Sequence, residues 1–421
     1  MRLLYVIHQF FPDCHSGTEQ YCLAAAQEAR RRGDEVTVLS LNPCHGDSMP
    51  PVRVFDAPYD GFDVKRINHW EQMNPNDVLR DYNNPHLEGW FRQVLEQVSP
   101  DAVHFFHLRQ LGSNLIDTAR RHGARTVVNL MDFWYLCPRF TLLRTDGELC
   151  EGPPDGGRGC VACEYPDLAG VEPGDEVGAD RDPSRLKALL ERKGVQLENL
   201  SLADAVVAPS KFLAELFVKN GLPRERMTVV PYGLAPDRLQ PIEAQRPRSP
   251  LRLGFCGVLS PWKSPHLAVR AVRDTAAQVT LTVHGRTDEP MFQRYIDDML
   301  ALAGDDARIS FPGAYAGDRT AAVFAEMDVL VVPSTWYENT PFVVLEALTA
   351  GVPVIASDLG GLSEVVQHDV NGKLFRAGDA DALRAAVEQV AADPTWWSAL
   401  ELRPPHGIAE NYDVFTGAYR G

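Results

Sequence analysis

The sequence predicts an α/β protein of two doubly wound, parallel-sheet (Rossmann-like) domains facing each other across a cleft. Three observations carry this expectation. Short apolar runs of strand length alternate with helical patterns in both halves of the chain, which is the signature of βαβ units. Between the halves, Pro236–Pro250, PDRLQPIEAQRPRSP, is rich in proline and charge and has no apolar period, so it reads as a linker. The length, 421 residues, is too great for one ordinary core. The expected organisation is an N-terminal domain over 1–235, a linker over 236–249 and a second domain over 250–404. A final segment, 405–421, is expected to pack back on the first domain.

Taken in order, Arg2–Ile7 is an apolar first strand, and Ser16–Glu19 forms an S-x-x-E capping box ahead of a helix that ends at Gly33. Glu35–Ser40, Ala102–Phe106, Thr126–Leu130, Ala205–Ala208 and Met227–Val230 are the further strands of the first domain. Those of the second are Leu251–Gly257, Val279–His284, Ala307–Phe311, Val329–Val332 and Val354–Ser357. Ligands of such sheets bind beyond the carboxyl edges of the strands. The loops that follow strands therefore hold the candidate functional residues. Gly17 lies after the first strand, Lys263 after the first strand of the second domain, and Glu338 after a later one.

Composition removes several function classes. With 45% hydrophobic and 23% charged residues the chain is a globular protein, and no apolar run is long enough to span a bilayer. The opening MRLLYVIHQFFP reads as a buried strand rather than a secretory signal, so a cytoplasmic location is expected. A net charge of -16 argues against nucleic acid as a partner, which would require a basic face. No G-x-G-x-x-G follows a strand, against a nicotinamide dehydrogenase. The segment GVLSPWKS at Gly257–Ser264 nearly fits a P-loop. Trp262 stands where the second glycine must be, which excludes a kinase or ATPase loop and leaves Lys263 as a point charge suited to a diphosphate.

The most informative stretch is Asp328–Gly351, DVLVVPSTWYENTPFVVLEALTAG, read as strand, short loop and helix. Thr340 is the expected N-cap, Pro341 the first helical residue, and Gly351 the left-handed residue that closes the helix. The amino end of such a helix favours phosphate. Glu338 in the loop and Glu346 on the helix offer acceptors for the hydroxyls of a sugar and a ribose.

Four of the eight cysteines fall together, Cys137, Cys150, Cys160 and Cys163, the last two spaced C-x-x-C, in a glycine- and proline-rich insertion over 137–185. A structural zinc, free or redox-active thiols, and disulfides are all open readings, with the metal favoured by the chelating spacing. Cys14, Cys22, Cys44 and Cys256 stand alone. The acidic stretch Tyr165–Ser184 is read as a lid or a plain insertion. Asp180 with Asp182 and Asp379 with Asp381 have the D-x-D form of metal-dependent transferases of another fold, but a loop explains the first pair and a helix start the second.

Together these motifs resemble the retaining family 4 glycosyltransferases of the GT-B fold. In the second domain the resemblance rests on Gly257 with Lys263, on Glu338 with Glu346 as E-x7-E, and on GVPVIASDLGG at Gly351–Gly361. In the first it rests on SGTE at Ser16–Glu19, DAVHFFH at Asp101–His107, ADAVVAPSKF at Ala203–Phe212 and VPYGL at Val230–Leu234.

The resemblance implies a nucleoside diphosphate sugar donor, no catalytic metal, and retention by front-face attack. Glu346 would accept from ribose hydroxyls and Glu338 would hold the donor sugar. Lys263 and the backbone segment Asn339, Thr340, Pro341 and Phe342, in which every residue but Pro341 has an N–H to donate, would face the leaving diphosphate, and Gly257 and Gly17 would let the backbone come close. The acceptor would be a glycan end, a lipid-linked saccharide or a small-molecule hydroxyl. Two departures from the family pattern stand out: Val258 where many relatives have arginine, and Met131 where many have histidine before Asp132. His107 or His104 is then the candidate replacement, with Asp132 the stronger polar candidate. A retaining glycosidase would need its two carboxylates about 5 Å apart on one anomeric carbon, whereas the resemblance puts one glutamate on the sugar and the other on ribose. Rival readings are a nucleotide-sugar epimerase or pseudo-glycosyl coupling enzyme of the same fold, and a non-catalytic sugar-nucleotide or glycan binder.

Overall fold

A computed structural model of the chain describes residues 1–42, 52–68, 78–175, 182–235, 239, 249–402 and 406–421. Cys44, Asp180 and the expected linker, apart from residues 239 and 249, lie outside the described residues. The chain forms two units, Met1–Pro231 with Ile408–Gly421, and Tyr232–Gly407.

The first unit holds eight strands: β1 Arg2–Ile7, β2 Glu35–Leu41, β3 Arg53–Asp56, β4 Asp63–Asn68, β5 Ala102–Phe105, β6 Arg125–Asn129, β7 Ala205–Ala208 and β8 Met227–Val229. They are ordered β3-β4-β2-β1-β5-β6-β7-β8. All pairs are parallel except β3 with β4. The order reverses between β1 and β5, so the loops leaving those two strands diverge and open a crevice. The helix Ile408–Arg420 completes this unit: Tyr412 donates to Asp34 at 2.6 Å, Asn411 to the carbonyl of Pro231 at 2.7 Å, and Arg32 pairs with Asp413.

The second unit holds β9 Leu251–Cys256, β10 Val279–His284, β11 Ile309–Ser310, β12 Val329–Val332, β13 Val354–Ser357 and β14 Gly372–Phe375, in the order β11-β10-β9-β12-β13-β14. All five pairs are parallel. Alternation along each strand sends side chains to opposite faces. Val329 and Val331 join one apolar cluster with Leu253, Phe255, Leu281 and Ile355, while Leu330 and Val332 join another with Val344, Leu348 and Ala356. Both faces are thus covered, which explains why these strands read as continuous apolar runs. The reversal here falls between β9 and β12. Their amino ends are latched by Asp328, which accepts from the backbone of Arg252 at 2.9 Å and from its guanidinium at 2.7 Å.

Three strands were not expected from the sequence. β3 has no buried residue, and β4, DVKRIN, carries an arginine that is buried. β14, GKLF, hides its strand character behind Lys373, whose ammonium is buried against Asp369 at 2.6 Å. β11 is shorter than expected, two residues rather than five.

Candidate active site

The loops leaving β9 and β12 meet at the reversal point of the second unit. The loop after β9 runs to the helix Pro265–Asp274, and the loop after β12 to the helix Phe342–Ala350. They are stitched together by the Thr335 N–H donating to the carbonyl of Trp262 at 2.8 Å and by the Ser264 and Thr335 hydroxyls at 2.9 Å. This brings Lys263 Nζ within 2.5 Å of Glu338 Oε1. The same oxygen accepts from Ser334 Oγ at 2.8 Å and from Trp336 Nε1 at 2.9 Å. Lys263 also lies 5.5 Å from the centre of the Trp336 ring, a cation–π distance. Glu338 is buried, with its side chain 7% exposed against 24% for Lys263, so the ammonium is the more accessible partner.

The helix that follows starts one residue later than the sequence implied. Pro341, with φ −67° and ψ 125°, is the N-cap, and Phe342 rather than Pro341 is the first helical residue; the buried Thr340 is therefore not the cap. The extended ψ of Pro341 explains the shift, since a helical residue must turn near ψ −42°. Gly351 closes the helix at φ 80° as expected. Glu346 is buried in the second turn, near Cys256 at the end of β9. Burial, reinforced by that carboxylate, pushes the Cys256 thiol up to about 12. Asn339 lies in the loop between Glu338 and the helix. That loop is clamped from behind by the glycine pair of the Gly351–Gly361 run. The Gly361 N–H donates to the Glu338 carbonyl at 2.7 Å, and a Cβ on Gly361 would stand 1.6 Å from the Asn339 carbonyl oxygen. Gly257, at φ 156°, opens the β9 loop. Its N–H donates to the carbonyl of His284 at 3.0 Å.

The first unit has its own site at its own reversal point. A cavity of about 400 Å³ is lined by His8 from the loop after β1, His107 and Arg109 from the loop after β5, and Asp132 from the loop after β6. His107 Nδ1 accepts from the Arg109 N–H at 3.2 Å, which assigns the ring proton to Nε2, and Nε2 lies 3.0 Å from Asp132 Oδ2. The other Asp132 oxygen accepts from the Trp134 N–H at 2.7 Å. His8 packs on His107 with ring centres 4.3 Å apart. Its pKa falls well below 6.5 through burial, with smaller contributions from the neighbouring His107 and Arg109. His104, the other sequence candidate, is not in this cavity. Its Nδ1 is bonded to Tyr419 Oη at 2.6 Å among Tyr5, Phe106 and Phe415, and burial drives its pKa to about 3. Gly17 is the first residue of the helix Gly17–Arg31, beside Ser16 and Thr18 on the cavity wall. Glu19 accepts from the Ser16 N–H at 2.6 Å and from its hydroxyl at 2.5 Å.

The expected residues therefore divide between two sites. Lys263, Glu338, Glu346, Gly257 and the 339–342 segment belong to the second unit, and Gly17, His107 and Asp132 to the first. Sequence reasoning missed Ser334 and Trp336, although their position within four residues of Glu338 was a usable signal, and missed His8 and Arg109, for which no local pattern exists. Cys137, Cys150, Cys160 and Cys163 line one separate small cavity. Of the D-x-D residues, Asp379 caps the helix Ala380–Ala392, accepting from Asp381 and Ala382 N–H, and Asp182 caps the helix Pro183–Ser201 rather than lying in an open loop. No described helix is long and apolar enough to cross a membrane.

Two doubly wound units, each with its polar groups gathered where the strand order reverses, define the class of GT-B glycosyltransferase folds. A glycosyl transferase 4-like domain matches residues 16–233, just over half of the chain, and a glycosyl transferases group 1 domain matches residues 250–393. The chain belongs to the family 4 glycosyltransferases. Among curated proteins it is similar to D-inositol 3-phosphate glycosyltransferase of Stackebrandtia nassauensis, 29% identical over a segment covering 52% of this chain and 52% of that protein. The chain spans about half the length of the curated relatives it matches. Among solved structures it is similar to Anabaena HepE in complex with UDP and glucose, with a TM-score of 0.61, 18% identity, and coverage of 99% of this chain and 95% of that one. It is also similar to sucrose-phosphate synthase of Thermosynechococcus elongatus, with a TM-score of 0.66, 18% identity, and coverage of 99% and 96%. At such identities the likeness defines the fold.

Proposed function

We propose that the protein transfers a sugar from a nucleoside diphosphate sugar to a hydroxyl acceptor with retention of anomeric configuration. The observation that carries this reading is the Lys263–Glu338 pair, 2.5 Å apart at the β9–β12 reversal point and ahead of the helix Phe342–Ala350. Lys263 supplies fixed positive charge to the departing diphosphate, and the amino end of the helix supplies a second favourable dipole. Glu338, oriented by Ser334 and Trp336, holds hydroxyls of the donor sugar, and Glu346 accepts from the ribose.

In the reaction the anomeric carbon–oxygen bond to the diphosphate breaks, a bond to the acceptor oxygen forms on the same face, and the acceptor's proton passes to the departing phosphate oxygen. A covalent sugar intermediate on Glu338 is disfavoured because one of its oxygens already accepts from Lys263, Ser334 and Trp336. The His107–Asp132 cavity of the first unit is the acceptor side in this reading. HepE, solved with UDP and glucose, has the same fold and supports a nucleoside diphosphate sugar as donor.

The test is incubation of wild type and Glu338→Gln with labelled UDP-, GDP- and ADP-sugars and a panel of glycan and small-molecule acceptors. A glycoside product with retained configuration and released nucleoside diphosphate is expected from wild type and is lost in the variant. Conversion of the donor to another nucleotide sugar without acceptor, or equal turnover by both proteins, overturns the reading.

A further inference from the structure

The segment 137–164, between β6 and β7, consists of a turn paired through Leu143 and Leu149, a short 3-10 turn Pro154–Gly157 and the helix Arg158–Glu164. Its own apolar core is nearly missing. Of its apolar side chains only Leu142 and Val161 are buried, and Val161 leans on Leu168, Leu186 and Leu189 outside the segment. So little burial does not offset the entropy of ordering so long a stretch, and small segments in this position need a staple.

What the segment has instead is sulfur. Cys137 precedes the Leu143–Leu149 turn, Cys150 follows it, and Cys160 and Cys163 lie on the helix Arg158–Glu164; all four line one cavity of about 30 Å³, a volume that suits a single ion and excludes an organic ligand. All four are free thiols.

A second observation is independent of the cysteines' own arrangement. Arg192 is 2% exposed, and its Nε and Nη1 have no hydrogen-bond partner. Its Nη2 donates to the Trp134 carbonyl and lies 3.9 Å from Asp81. A buried guanidinium with two unspent donors calls for negative charge near it. Arg139 and Arg144 line the same cavity.

We propose that Cys137, Cys150, Cys160 and Cys163 form a tetrathiolate site for one structural zinc ion, which pins the 137–164 insertion to the first unit. On binding, four thiols release four protons and one Zn²⁺ takes four sulfur ligands, leaving a net charge of −2 in a cavity that Arg139 and Arg144 also line. Among the described residues no group of three His, Cys, Asp or Glu stands in an arrangement that could hold a metal ion, so the proposal requires the four sulfurs to close to about 2.3 Å from the ion.

The experiment is metal analysis of the full chain, purified under reducing conditions without chelators and supplied with zinc. One zinc per chain is expected, and exchange with Co²⁺ is expected to give the intense thiolate-to-cobalt charge-transfer band of a tetrahedral sulfur site. Cys160→Ser and Cys163→Ser should each lose the metal, while Cys14→Ser keeps it. Because a cysteine variant can fail to fold, thiol counting on wild type provides the second arm. After chelation and denaturation without reductant, all eight cysteines should react. Absence of bound zinc, iron in its place, or a shortfall of reactive thiols that marks disulfides would each overturn the proposal. None of these outcomes bears on Lys263 or Glu338, so the sugar-transfer reading stands or falls separately.

Discussion

The two units place polar groups at equivalent points of similar sheets and make different chemistry there. Where β9 and β12 diverge, one ammonium faces one carboxylate, with Ser334 and Trp336 fixing the carboxylate. Where β1 and β5 diverge, two imidazoles, a guanidinium and a carboxylate line one cavity, and burial keeps the His8 ring neutral. A lysine ammonium carries its charge throughout the physiological range, which suits an anion that must be held through bond breaking. In the proposed reading an imidazole with one N–H donor and one acceptor nitrogen suits a hydroxyl group, so residues at strand ends of one fold would decide whether a site serves a phosphate or an alcohol.

The largest effect that could break this contrast is on Lys263. Lys263→Ala removes the fixed cation at the second unit's reversal point and leaves Glu338 held by two neutral donors. Losing one good electrostatic donor costs about 2.7 to 4 kcal/mol of barrier, or roughly a hundredfold to a thousandfold in turnover. The expected signature is a fall in kcat with acceptor KM unchanged, read by initial rates at saturating donor. Unimpaired turnover would mean that the cation is a structural partner of Glu338 and nothing more.

The next effect tests stability rather than rate, because the first unit carries the most strongly depressed imidazoles. His104 is held at about 3 against an ordinary 6.5, and His8 is also far below, whereas His266 and His284 in the second unit are lowered less. Below pH 6.5 the unfolded chain takes up a proton that folded His104 refuses. The contribution is therefore fully present above pH 6.5 and is lost as pH falls toward 3. Near pH 4 the loss from His104 alone is roughly 3 kcal/mol. The first unit should melt before the second on acidification, followed by hydrogen exchange or by calorimetry. His104→Gln should flatten the pH dependence of its stability even if it lowers stability at neutral pH. Simultaneous melting of both units with an unchanged slope would contradict the depressed pKa.

What could be seen in the sequence follows the same division. The second unit's strands are buried on both faces and read as plain apolar runs, and Val329–Val332 and Val279–His284 were legible to the residue. Lys263 and Glu338 were expected in loops that directly follow a strand and open a helix, and they lie there; that the two loops meet comes from the adjacency of β9 and β12 in the sheet. β3 and β4 were not, because an edge hairpin with a buried arginine violates the polarity rule on which the reading depends. The histidine site was only half legible. His8, His107 and Asp132 leave three different strands, and nothing short of the strand order β1-β5-β6 brings them together. His104 and His107 sit three residues apart, yet one is sealed behind the C-terminal helix and the other lines the cavity. His104 lies within β5 and His107 in the loop beyond it, and the sequence does not reveal which face a later helix will cover.

The smallest effect sharpens the role of the first unit. Asp132 accepts from two donors, the Trp134 N–H through one oxygen and His107 Nε2–H through the other. In Asp132→Asn only one of those oxygens remains. If it stays with Trp134, the new amide N–H₂ faces His107 Nε2–H, donor against donor. The ring cannot relieve this by moving its proton to Nδ1, because Nδ1 accepts from the Arg109 N–H. His107 must therefore turn away or lose a bond. A hydrogen bond to a charged group is worth roughly 1.5 kcal/mol or somewhat more, so about a tenfold loss of kcat/KM for acceptor is expected. Stabilisation of the protein by nucleoside diphosphates, which the proposal assigns to Lys263 and the Phe342–Ala350 helix, should be unchanged in a thermal-shift titration. Loss of that stabilisation in Asp132→Asn would instead tie the histidine cavity to donor binding and dissolve the distinction between the two sites.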